Sequence, residues 1–132
     1  MLIGEVARRS GVSAKTLRYY EDIGLIDAPA RSASGYRDYD AGVLDRLGFI
    51  RAAQAIGLSL GEIRSIVALR DDGQVPCGHV LGLLRDRADD IRRTIRELRA
   101  LQSELDRLVE RAVGLDPAHC DPQRVCHLIG TG

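Results

Sequence analysis

The chain has 132 residues, 45% hydrophobic and 4% aromatic, which is enough for one modest domain with an appended helix and too apolar for a disordered segment. Lys+Arg and Asp+Glu both number 19, so the net charge is zero and any binding to nucleic acid has to come from local placement of charge. No stretch approaches the roughly 18 consecutive apolar residues of a membrane span, and Gly4, Glu5, Arg8 and Arg9 near Met1 exclude the apolar centre of a signal peptide, so a cytoplasmic protein without membrane contacts is expected.

Ile3, Val6 and Ala7 stand at helical spacing, and Ser10-Gly11-Val12-Ser13 separates them from a second apolar set, Leu17, Tyr20 and Ile23 with Leu25 beyond. Gly11 suits a left-handed residue closing the first helix, and Ser13 suits the N-cap of the second. This is a helix-turn-helix pattern. Pro29, Ser32, Ser34 and Gly35 then mark a loop or hairpin that ends in Tyr36-Arg37-Asp38-Tyr39, a wing carrying basic and aromatic groups together. Asp40 is expected to cap a helix through Val43, Leu44, Leu47, Ile50 and Ala53, and Ser59-Leu60-Gly61-Glu62 is a capping box opening a helix through Ile63, Ile66, Val67 and Leu69.

Asp71 to Pro76 breaks the pattern, and from about His79 to Ala112 there is no proline. Leu84, Ile91, Leu98 and Leu105 recur every seven residues, with Ala88, Ile95 and Val109 interleaved and charges of both signs between them. A helix with one apolar seam has little to pack against in so small a chain, so a homodimer is predicted. The expected organisation is a DNA-binding domain at 1–70, a linker at 71–78, a dimerisation helix at 79–113 and a loop at 114–132.

Ile3-Gly4-Glu5-Val6-Ala7, Thr16-Leu17-Arg18-Tyr19-Tyr20-Glu21, Gly24-Leu25-Ile26, Gly35-Tyr36-Arg37-Asp38-Tyr39 and Gly57-Leu58-Ser59-Leu60-Gly61-Glu62-Ile63 occur in that order. In this ordered series, and over nearly its whole length, the chain resembles MerR-family transcriptional regulators. The resemblance implies a mainly α protein with a winged helix-turn-helix, a long antiparallel coiled-coil dimerisation helix and a C-terminal metal-binding loop. It also implies a regulator, not an enzyme, that distorts badly spaced promoter DNA on binding its effector so that RNA polymerase can use it.

At the DNA end, Lys15, Thr16, Arg18 and Tyr19 occupy the turn of the second helix that would reach base edges. Tyr20, Arg31, Tyr36, Arg37 and Tyr39 are the expected phosphate donors on helix and wing.

Cys77 precedes the long helix, and Cys120 and Cys126 follow it. Three is an odd number, better suited to thiols or metal ligands than to a disulfide framework. A helix of about 34 residues spans on the order of 50 Å, so if straight it keeps Cys77 from its own chain's loop. In an antiparallel dimer, Cys77 of the partner subunit would instead approach Cys120 and Cys126. Three thiolates suit a thiophilic divalent ion, Hg(II), Cd(II) or Pb(II), whereas Zn(II) wants a fourth ligand, for which His119 and His127 are the candidates ahead of His79 and Asp121. The resemblance implies the same class of ion, because a cysteine at the start of the long helix accompanies divalent-ion sensing and a serine there accompanies Cu(I) or Au(I). The five residues between Cys120 and Cys126 are fewer than in many relatives, and the identity of the ion stays open. A redox or iron-sulfur sensor on the same scaffold is the alternative, although an all-thiolate cluster needs four cysteines. A thiol-dependent enzyme would need a CxxC pair or a substrate domain, and a sensor of organic ligands a larger C-terminal domain; the chain offers none of these.

Overall fold

The computed structural model describes residues 1–130 and contains, in chain order, helices α1 (Ile3–Ser10) and α2 (Ala14–Asp22), strands β1 (Ala30–Arg31) and β2 (Arg37–Asp38), and helices α3 (Gly42–Ala55), α4 (Leu60–Asp71) and α5 (Cys77–Gly114). A 3-10 turn, Pro117–His119, follows. The chain divides into two compact units after Arg87.

Local chemistry sets the helix ends as the sequence predicts. Gly11 closes α1 at φ 74°, and its amide donates to the Ala7 carbonyl. A Cβ at Gly11 would lie 2.8 Å from Arg51 Nη1, the movable end of a side chain that donates to the Ser10 carbonyl at 2.7 Å, so it is the left-handed backbone that favours glycine there. Ser13 Oγ accepts from the Thr16 amide at 3.1 Å and starts α2. At α4 the capping box is complete: Glu62 N–H donates to Ser59 Oγ at 3.1 Å, and Ser59 N–H donates to Glu62 Oε1 at 2.9 Å. Asp40 Oδ1 accepts from the Gly42 amide at 2.9 Å as expected of a cap, with Ala41 interposed before α3 begins.

The core of the first unit is one cluster. Val6, Leu17, Leu25, Leu47, Ile50 and Ile63 are its most deeply buried side chains, drawn from α1, α2, the turn after α2, α3 and α4. No buried polar or charged residue interrupts it among the described residues. Arg46 of α3 ties the end of α4 through a fork to Asp71, with Nη2 to Oδ1 at 2.7 Å and Nη1 to Oδ2 at 3.2 Å. The wing is an antiparallel hairpin in which Ala30 faces Asp38 and Arg31 faces Arg37.

Helix α5 is 38 residues long and begins at Cys77, two residues before the predicted start. Pro76 and Gly78 look like breakers in sequence, but the first turn of a helix has no intrahelical acceptor for its amides, so neither is costly there. The Pro76 carbonyl accepts from Val80 N–H at 2.9 Å and opens the helix. Leu84, Ile91, Ile95, Leu98, Leu105 and Val109 are exposed along it, and in one chain this seam has nothing to cover it. A helix of this pattern and length fits a coiled coil. Among the described residues no helix is long and apolar enough to cross a membrane.

Candidate DNA-reading face and metal centre

The fold sorts the residues of α2 by face. Leu17 and Tyr20 point into the core, while Lys15 in the first turn and Arg18 and Tyr19 in the middle of the helix are exposed. Thr16 is half-buried, and its hydroxyl oxygen accepts from Ser13 Oγ at 2.9 Å. Beside this helix the wing turns over Ser32 to Tyr36: Gly35 takes φ 82°, Ser32 N–H donates to the Tyr36 carbonyl at 2.7 Å, and Arg31 Nη1 donates to the Gly35 carbonyl at 3.0 Å. Arg18, Arg31, Tyr36 and Arg37 thereby line one open cleft of about 480 Å³ with Leu2 to Glu5 of the first helical turn.

Two residues expected to donate to phosphate are placed elsewhere. Tyr20 is 7% exposed and Tyr39 3%, and both rings belong to the hydrophobic cluster. The Tyr39 hydroxyl donates to Glu21 Oε2 at 3.3 Å, and burial together with the adjacent Glu21 carboxylate raises its pKa above the ordinary phenol value. The sequence shows an aromatic next to basic residues in both cases, Tyr20 in α2 and Tyr39 at the end of the wing; which aromatic turns inward depends on the neighbouring element. Glu21, not singled out in the sequence, is the residue that joins helix and wing.

At the other end of the chain's chemistry, Cys77, Cys120 and Cys126 are free and exposed. The loop is built by local turns: Asp116 Oδ1 accepts from Ala118 N–H at 2.9 Å, and Asp121 Oδ1 accepts from Gln123 N–H at 2.9 Å. The amides of Ile129 and Leu128 point at the Cys126 sulfur and hold its pKa below the ordinary thiol range, which favours the thiolate that a metal needs. His127 Nδ1 is buried and has no hydrogen-bond partner among the described residues. An unsatisfied buried nitrogen is costly, and a metal ion is one partner that would satisfy it. The two less favoured ligands are otherwise engaged. His79 Nε2 lies 2.7 Å from Ser65 Oγ, and the Asp121 carboxylate is occupied by the Gln123 amide and by Arg124 at 3.6 Å. His119 is exposed beside Cys120. Among the described residues of one chain no three His, Cys, Asp or Glu side chains gather as a ligand set. Thiol and imidazole donors of this kind suit a soft ion.

The MerR family regulatory protein model matches residues 2–39, and the model for MerR, DNA binding matches 44–108. The HTH-type transcriptional regulator HmrR of Rhizobium leguminosarum bv. viciae is 41% identical over 91% of this chain and 92% of its own length. The mercuric resistance operon regulatory protein of Bacillus cereus is 38% identical over 83% of each chain. The transcription regulator PbrR691 from Ralstonia metallidurans CH34, solved in complex with lead(II), superposes with a TM-score of 0.76 at 36% identity, covering 97% of this chain and 95% of that one. The ordered motifs, the helix-turn-helix with its wing, and these matches along the chain make it a member of the MerR family of DNA-binding transcriptional regulators.

Proposed function

We propose that the protein is a homodimeric activator that responds to a thiophilic divalent ion, Hg(II), Zn(II), Cd(II) or Pb(II), and then distorts promoter DNA into a form RNA polymerase can use. The observation that carries this reading is a 38-residue helix with an exposed apolar seam, one cysteine on its first residue and two beyond its end. Pairing two such helices antiparallel covers both seams and brings Cys77 of the partner subunit toward Cys120 and Cys126. Residues 114–132 are then the metal-binding loop and α5 the dimerisation helix. His127, with its Nδ1 buried and unpartnered, is the preferred fourth donor for an ion that takes four, with His119 second. At such a site a divalent ion supplies a cross-link between thiolates of two subunits, which makes occupancy and interface geometry interdependent. The named properties of the relatives support this: one regulates a mercuric resistance operon, and another is solved with lead(II).

On the DNA side, Lys15, Thr16, Arg18 and Tyr19 read base edges in the major groove, and Arg31, Tyr36 and Arg37 hold phosphates. Arg31 and Arg37 face each other across the hairpin, an arrangement of like charges that is unfavourable alone and relieved by a polyanion.

A competition titration of the reduced protein with Zn(II), Cd(II), Pb(II) and Hg(II), followed by thiolate-to-metal absorption and by transcription from a bound promoter, tests the reading. One ion per chain together with activated transcription is expected. Brown visible absorption of the purified protein, or activation by oxidants with no metal taken up, would replace it with the redox or iron-sulfur reading.

A further inference from the structure

Glu21 Oε2 accepts from Arg37 Nε at 3.2 Å and from the Tyr39 hydroxyl at 3.3 Å. Its side chain is 16% exposed and that of Arg37 28%, so the pair is partly withdrawn from water. The acid comes from α2 and the two donors from the far strand of the wing and the residue after it. We propose that Glu21 is the positioning residue of the DNA-reading face: it fixes the Arg37 guanidinium at the cleft between α1 and the wing, so that a DNA phosphate meets a group already in place. The inference builds on the reading of Arg37 as a phosphate contact.

Three features point to positioning instead of surface ion pairing. First, Glu21 takes Arg37 through its Nε, one edge of the guanidinium, and Arg37 lines the cleft together with Arg18, Arg31 and Tyr36. Second, Arg31 stands directly opposite Arg37, and a guanidinium held only by its stem would swing away from that like charge; an acid on the other side keeps it near. Third, Tyr39 donates to the same oxygen from a ring that is itself core, which fixes the carboxylate. Each link in the chain Tyr39, Glu21, Arg37 is thus held by the one behind it.

The sign of the effect separates this role from plain electrostatics. Deleting a carboxylate beside a polyanion raises the local positive charge and on that ground alone tightens DNA binding. Positioning predicts the reverse, because a released arginine has to be ordered on binding, a cost equivalent to about threefold to tenfold in affinity. The experiment measures, by fluorescence anisotropy, the affinity of full-length dimers for a duplex selected by the wild-type protein from a randomised pool. The variants are Glu21→Ala, Glu21→Gln, Arg37→Ala and Glu21→Ala/Arg37→Ala, each checked for an unchanged dimer and thermal midpoint. Glu21→Ala should weaken binding about threefold to tenfold on every sequence. Glu21→Gln, which keeps an acceptor for both donors, should recover most of that loss and serves alone should the alanine variant fail to fold. In the Arg37→Ala background, the same Glu21 substitution should cost nothing further. Tighter binding by Glu21→Ala, or equal losses with and without Arg37, would overturn the role of Glu21 while leaving Arg37 on the phosphate. Wild-type affinity of Arg37→Ala would remove the phosphate contact itself, and the positioning role with it.

Discussion

Arg18 and Arg37 line the same cleft, and the proposed reading gives them different contacts with DNA. With Arg18 of α2 as a base contact, Arg18→Ala should relax sequence preference, such a contact being worth roughly 1 to 3 kcal/mol. Arg37→Ala should weaken all sequences and lower the slope of log affinity against log salt by about one; equal losses on every sequence for both variants would show the roles to be misassigned. Two carboxylates in α4 link the stability of the fold to pH. The Ser59 amide and hydroxyl, with Arg87 behind them, hold Glu62 below its ordinary pKa of 4.5, and Arg46 does the same for Asp71 from 3.8. Since both are depressed in the folded state, their stabilising contribution is complete above those ordinary values and is lost as pH falls through the lowered ones. The thermal midpoint should therefore decline below about pH 4.5, and Glu62→Gln should lower it at neutral pH while flattening that decline. A wild-type midpoint unchanged down to pH 3 would contradict this.

The elements differ in how far their own residues announce them. Gly11, Ser13 and the Ser59–Glu62 box act through neighbours within three or four positions, and those helix ends were legible because the chemistry is local. The wing was legible as a hairpin with basic and aromatic side chains. The burial of Tyr39 was not, because it depends on Glu21, 18 positions away. The start of α5 lies two residues before the start expected from the proline-free run, because Pro76 breaks a helix in its interior but is tolerated next to its first turn. For the proposed metal site, Cys77, Cys120, Cys126, His119 and His127 are legible in the sequence, while the burial of His127 Nδ1 is a property of packing. The seam of α5 was read from its heptads, and the exposure of Leu98 at 58% shows how much apolar surface one chain leaves uncovered. Leu98→Asp should produce a monomer by sedimentation at micromolar concentration and abolish operator binding with it, because two half-sites can no longer be held by one particle. A dimer of wild-type affinity with Asp at this position would place the interface elsewhere.

In the whole molecule the proposed metal site is a property of the dimer, with one subunit contributing the cysteine at the first residue of α5 and the other the two beyond the helix end. At about 1.5 Å per residue, 38 helical residues amount to about 57 Å of rise. Metal removal from the wild-type protein should leave dimer and DNA binding intact and abolish only activation, since neither seam nor heads use the thiols. The decisive experiment for a site shared between subunits is metal binding to a mixed dimer of Cys77→Ser with Cys120→Ser/Cys126→Ser, isolated by differential tags and measured beside both parent homodimers. One end of that heterodimer carries all three thiols and the other none, so it should bind one ion at near wild-type affinity, half the wild-type capacity, while neither parent binds tightly. Wild-type affinity and capacity in the Cys77→Ser homodimer, with normal activation of transcription, would place the ligands within one chain and contradict the shared site.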